Sequence, residues 1–322
     1  MNNSELTAAS EDQSQNFKKM CSREEVMKCP HMMVLLGYLH EKHELPKYGW
    51  RRKGLRYHYT DAAGLLGIIE NSRLWATDIR FLNDPSEGGF LPERLLELMS
   101  SKPGGVSDIE ESIITGLEKA LLNPRWNYST FAASLSISGD LLSQWRGYGS
   151  FGKGYAVGLN FEGMLPHPQI ASYYDIIYGD EGLKDLALDL LDLFVSATGK
   201  WGDSMHDEWA HTLSVLAKSF KDSSYSEEQE SRLVCSYSDD GKNNFHNELP
   251  LKFRAKGSDV IPYIPMSLNL LRDGHEPRLP LERIVVGPGV DFQRNYASIN
   301  ALLRAHSYNN VKVERSVIPF RS

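Results

Sequence analysis

Leu55-Arg56-Tyr57-His58-Tyr59-Thr60 decides the reading of this chain, because it breaks at once into Asp61-Ala62-Ala63-Gly64-Leu65-Leu66-Gly67-Ile68-Ile69-Glu70-Asn71. The first six residues alternate as a strand does and the next eleven repeat apolar residues at helical spacing. Side chains two apart on a strand share a face, so His58 and Thr60 present an imidazole and a hydroxyl together. That pairing suits the gripping of a polar ligand. The competing reading makes His58 a satisfied core histidine and Thr60 the cap of the helix that follows.

Working outward, Arg73–Thr77 reads as a second strand, and Phe81-Leu82-Asn83-Asp84-Pro85-Ser86-Glu87 as a loop opening a helix. There Asp84 would cap, Pro85 would fit the first turn, and Glu87 would close a capping box. Further along, the pattern predicts a helix over 107–122, a strand over 128–138 and a short helix over 140–147. The glycine-rich turn 147–154 then feeds a strand over 155–161. In that turn glycine follows Gly152-Lys153, where a phosphate loop of the nucleotide triphosphatases needs Ser or Thr, which excludes that class. A strand over 171–178 comes next, then amphipathic helices over 183–194, 207–220 and about 226–234, which form a helical insert at about 181–235. Strands over 248–256, 259–265 and 281–287, a helix over 291–305 and a strand over 311–317 complete an α+β pattern with a mixed sheet. Before it lie a polar tail, expected to be disordered or a frayed helix, and a helix over 23–43 broken by Pro30. The domain reading is therefore a tail and helical extension over 1–50 and a single α+β domain over 51–322.

Composition sets limits on function. With 322 residues, 41% of them apolar, the chain can bury a sizeable core. A formal charge of -7 excludes a broad phosphate-neutralising surface and leaves only local patches, of which Lys47 to Arg56 is the densest. Cys21, Cys29 and Cys235 are too few for a disulfide scaffold and point to a reducing, cytoplasmic setting; no stretch is apolar enough for a membrane helix. Cys21, Cys29, His31, His40 and His43 gather in one region, but their spacing matches no zinc knuckle.

Several blocks taken together carry a resemblance. They are Tyr57-His58-Tyr59-Thr60, Leu74-Trp75-Ala76, Phe81-Leu82-Asn83-Asp84-Pro85, Leu142-Ser143-Gln144-Trp145-Arg146-Gly147-Tyr148, Tyr155-Ala156-Val157-Gly158-Leu159, Ile284-Val285-Val286-Gly287-Pro288 and Ser316-Val317-Ile318-Pro319-Phe320-Arg321. In this order they resemble a bacterial domain of unknown function, the one numbered 2971. More distantly, the opening His-x-Thr strand and its helix are similar to the start of the ADP-ribosyltransferase fold. This second resemblance implies an ADP-ribosyltransferase-like core and NAD as the substrate. It implies that His58, Tyr59 and Thr60 hold the dinucleotide, with an aromatic such as Tyr155 or Tyr148 stacking on the nicotinamide.

Breaking the nicotinamide glycosidic bond builds positive charge on the ribose, so a carboxylate is needed beside it. Glu248 is the candidate, with His58 as its catalytic companion and Arg146 on the pyrophosphate. The unknown-function family tends to carry two glutamates closely followed by an aromatic-Arg pair here, whereas this chain has Glu248-Leu249-Pro250-Leu251-Lys252-Phe253-Arg254.

Three expectations compete. The first is an NAD-consuming transferase or glycohydrolase of bacterial or phage defence or of a stress response, with a protein or nucleic acid as acceptor. The second is a non-catalytic module that binds a ligand or a partner through the same fold. The third is a metal-dependent nuclease or hydrolase using Asp84, Glu87 and His58. Oligomeric state is not legible in the sequence.

Overall fold

The computed structural model describes residues 22–28, 32–43, 45, 54–84, 88–123, 128–161, 172–202, 205–238, 251–267 and 278–319. The chain divides into two compact units: 1–47, 86–127 and 177–223 form one, and 48–85, 128–176 and 224–322 the other. The first is helical, built from α1 (Arg23–Lys28), α2 (Met32–Lys42), α4 (Phe90–Ser100), α5 (Asp108–Leu122), α7 (Leu183–Trp201) and α8 (Met205–Ala217). It also carries the short parallel pair β6 (Ile177–Tyr178) and β7 (Phe220–Lys221). Its core stacks Phe194 on Trp209 at 4.2 Å among leucines of every long helix. The helices expected over 183–194 and 207–220 therefore pack with the N-terminal helices rather than with each other alone.

The second unit holds the sheet. Its elements are β1 (Leu55–Thr60), α3 (Ala62–Asn71), β2 (Arg73–Asp78), β3 (Tyr128–Ser136), α6 (Leu142–Gly147), β4 (Tyr155–Asn160), β5 (Ser172–Asp175), β8 (Glu230–Ser238), β9 (Lys252–Lys256), β10 (Asp259–Ser267), β11 (Leu281–Val286), α9 (Phe292–Ala305) and β12 (Lys312–Arg315). The ten-stranded sheet runs β12-β11-β4-β1-β3-β2-β10-β9, with β8 and then β5 branching from β3. The β11–β12 pair is parallel and the rest antiparallel, so the sheet is mixed and the class α+β.

The branch at β3 positions everything that follows. One edge of β3 pairs with β8 along its length, from Tyr128↔Ser238 to Ser136↔Glu230. Its other edge meets β2 at Phe131 and Ala132 and β1 only at Ser136. Ala133, Ser134 and Leu135 therefore lie between the two contacts, where β1 and β2 have parted. The sheet forks there.

Two sequence expectations are corrected. Residues 226–234, read as an amphipathic helix, form a 3-10 turn at Ser223–Glu228, a left-handed Gln229 at φ 47° and then β8. Local propensity is overridden by nine residues of pairing with β3. The helix expected to open at Pro85 begins instead at Phe90, with Gly89 as its N-cap and no side-chain cap; Pro85 and Glu87 lie outside the described residues.

Thr60 does not cap α3. Asp61 does, accepting from the Gly64 amide at 2.7 Å. Thr60 instead occupies the space over Gly64, where a Cβ would sit 1.9 Å from its Oγ1, whereas a Cβ at Gly67 would meet nothing within 4 Å. We expect Gly64→Ala to lose about 1–3 kcal/mol by crowding Thr60. Gly67→Ala should gain up to about 1 kcal/mol from helix propensity. Urea denaturation reads the opposite signs.

Candidate functional site

Arg56, His58 and Thr60 pair with Leu159, Val157 and Tyr155 of β4, residues of the apolar core, so the core-facing stripe of β1 is polar. Tyr57 and Tyr59 occupy the opposite face with Trp145 and Val285. Burying such a stripe demands a partner for each group. Arg56 is buried, donating to Ser231 Oγ at 2.9 Å and pairing with Asp175 at 3.4 Å. Although it ends the basic run of the sequence, Arg56 is part of the sheet's internal wiring; Lys47 to Lys53 lie outside the described residues.

His58 reaches into the fork. Its Nδ1 lies 3.0 Å from the Ser134 carbonyl oxygen, on the stretch of β3 that β1 and β2 leave between them. A carbonyl only accepts, so Nδ1 carries the proton. Burial, the largest effect, lowers the His58 pKa; the Ser134 bond opposes it, and the charge of Arg254, the smallest effect of the three, lowers it further. The neutral ring thus holds Nε2 as an acceptor.

A cleft of about 810 Å³ occupies the fork. It is lined by consecutive residues of β3, Ala132 to Leu135, as expected of a gap between strands rather than a hollow on one face. His58 and Thr60 line one side, Gly64 and Gly67 of α3 another, and Trp75, Thr77 and Arg254 a third. Glu228 and Glu230 complete it.

Those two carboxylates differ. Glu230 is closed into a buried bidentate pair with Arg232, at 2.6 Å to Nε and 2.9 Å to the outer guanidinium nitrogen. Glu228 accepts through Oε1 from the Tyr148 hydroxyl at 2.9 Å and the Asn83 amide at 3.2 Å, both of which line the cleft. Burial raises the Tyr148 pKa, and the neighbouring Glu228 charge raises it further, so Tyr148 stays a donor. The backbone of Glu228 is fixed as well, its carbonyl accepting from Ser136 Oγ at 2.9 Å.

The expected site residues divide. His58, Tyr59 and Thr60 line the cleft together, but the Tyr59 hydroxyl is spent on the Ser138 carbonyl and the Leu141 amide, both at 3.0 Å, and burial raises its pKa. Tyr155 lies in the core with its hydroxyl on Asn295 at 2.9 Å, away from the cleft lining. Arg146 is exposed on α6 and does not line the cleft, whereas its neighbour Gln144 does. Glu248 lies outside the described residues.

Sequence reading missed Glu228, Glu230 and Arg254. A signal was present: Glu228-Gln229-Glu230-Ser231-Arg232 supplies two close glutamates before an arginine, with Ser231 where an aromatic was expected. Taking the segment as a helix hid it. Among the described residues no group of three or more His, Cys, Asp or Glu side chains is arranged to hold a metal, and no helix is long and apolar enough to cross a membrane.

Residues 144–233 match the model of a family described as a protein of unknown function (DUF2971). That span runs from Gln144 to β8 and contains Tyr148, Glu228, Glu230 and Arg232. No curated protein and no solved structure matches the chain.

The pH dependence of His58 has a definite sign. Its folded pKa lies below the reference 6.5, so as pH falls through 6.5 the unfolded chain takes up a proton that the fold resists. Stability from this group is complete above 6.5 and is lost on acidification. A melting-temperature series from pH 7.5 to 5 should therefore fall more steeply in the wild type than in His58→Asn; parallel curves would contradict this assignment. Arg232→Met, which breaks the buried pair with the Glu230 carboxylate, should cost about 3–5 kcal/mol in denaturant titration.

Proposed function

We propose that the cleft binds NAD and breaks its nicotinamide–ribose bond, as an ADP-ribosyltransferase-like or NAD glycohydrolase-like enzyme. The observation that carries this reading is the placing of a neutral His58 and the hydrogen-bonded carboxylate of Glu228 on the walls of one nucleotide-sized cleft. His58 Nε2 accepts from a ribose hydroxyl or the nicotinamide amide, and the Thr60 hydroxyl adds a second polar contact. Glu228 faces the charge that develops on the ribose, held in place through Tyr148 and Asn83. The bond between the anomeric carbon and the pyridinium nitrogen breaks, and its electron pair leaves with neutral nicotinamide. Water or an acceptor nucleophile then captures the oxocarbenium and releases its proton to solvent. Glu228 takes the part first given to Glu248.

A second reading, a ligand-binding module without chemistry, is favoured by the saturation of the acidic groups: Glu230 is locked to Arg232 and Glu228 Oε1 already accepts two hydrogen bonds. Nicotinamide release from NAD, with protein, DNA and RNA offered in turn as acceptors, separates the two. We expect release that Glu228→Gln lowers by about 100-fold or more at unchanged melting temperature. NAD binding without release in every mixture would favour the module, and neither binding nor release would sink both readings.

A further inference from the structure

Arg254, half-buried on the edge strand β9, differs from the buried guanidinium groups of the sheet. Arg56 has Asp175 and Arg232 has Glu230, whereas no carboxylate of the described residues pairs with Arg254. One terminal nitrogen donates to Thr77 Oγ1 at 2.8 Å, and its buried Nε has no hydrogen-bond partner among the described residues. Its guanidinium lies 5.5 Å from the Trp75 ring centre and 5.9 Å from that of Tyr263, two rings stacked at 4.4 Å. Burial lowers its pKa, and the carboxylate whose charge it feels, Asp61, is engaged in capping α3. Aromatic faces and one hydroxyl fix the orientation of a guanidinium without neutralising it. A half-buried charge held so beside an open cleft costs stability, and a fork of donors is the geometry that phosphate oxygens match.

We propose that Arg254 anchors an anion subsite of the cleft, and that its occupant is the phosphate or pyrophosphate of a nucleotide whose ring system lies against Trp75. Trp75 lines the cleft and keeps 37% of its surface exposed even though Tyr263 stacks on it. Lys256, on the same face of β9 as Arg254, also lines the cleft and adds a second positive charge. The inference rests on the NAD reading for the nucleotide, while the anion rests on Arg254 alone.

Titration calorimetry with ADP-ribose, pyrophosphate and the uncharged nucleoside adenosine tests it, with the melting temperature of each unliganded variant measured alongside. ADP-ribose should bind at least tenfold more tightly than adenosine. Arg254→Gln should weaken ADP-ribose and pyrophosphate at least tenfold, leave adenosine unchanged, and hold or raise the melting temperature. Arg254→Lys, which keeps charge but not the fork, should fall between. Equal affinity for ADP-ribose and adenosine, no binding of any of the three, or ADP-ribose affinity indifferent to Arg254→Gln would overturn the proposal. ADP-ribose binding that depends on Arg254, without nicotinamide release, would remove the glycosidic chemistry and keep the subsite; release that Arg254→Gln leaves untouched would do the reverse.

Discussion

The hydrogen bond from His58 to the Ser134 carbonyl is what lets this sheet fork. A strand edge that loses its neighbour leaves backbone groups without partners, and such groups are costly to bury. Here β1 and β2 diverge from the middle of β3, and an imidazole from β1 reaches across to satisfy the carbonyl exposed between them. The same bond fixes the tautomer, so the price of opening the sheet also sets which ring nitrogen can meet a ligand. On the far edge β8 pairs with β3 throughout, so the opening is confined to one side.

Charge compensation then separates architecture from function. Buried ions survive in this fold when a counter-ion and hydrogen bonds meet them, as Arg232 is met by Glu230 and Arg56 by Asp175 and Ser231. Arg254 is held by aromatic rings and a hydroxyl, which orient it and leave its charge standing. That charge helps keep His58 neutral across the cleft. One unneutralised cation thus conditions both the field in the cleft and the protonation of the group opposite.

Local pattern made much of this fold legible. The strand-to-helix break at Thr60 and Asp61, the strands near 73, 128, 155, 259, 281 and 312, and the helix over 292–305 follow from periodicity and caps, and the Ser107 capping box sits where the helix at 107 was expected to start. Residues that depend on long-range pairing were not legible. Glu227-Glu228-Gln229-Glu230 has helical composition, yet it runs from a 3-10 turn through a left-handed Gln229 into β8, whose pairing with β3 begins at Glu230 and brings Glu228 and Glu230 to the cleft. In the same way Arg146 lies within a motif and turns out exposed, while Arg254, read only as the end of a stretched glutamate and aromatic-Arg pattern, is brought to the cleft by an edge hairpin. His58 was legible because its role depends on strand alternation, the strongest local signal available. Glu248 was chosen for its place late in the chain, at the entry to a strand expected after the helical insert.

The groups that line the cleft come from segments far apart in the chain. Tyr148, Glu228 and Glu230 lie within the stretch that matches the family of unknown function, whereas His58, Trp75 and Arg254 lie outside it. Among the described strands Arg254 sits on an outermost one, which pairs with β10. Substitution at a sheet margin disturbs few neighbours, so the guanidinium can be exchanged without disturbing Glu228 and Glu230. A change of charge at that margin would alter the field in the cleft and leave the rest of the sheet standing.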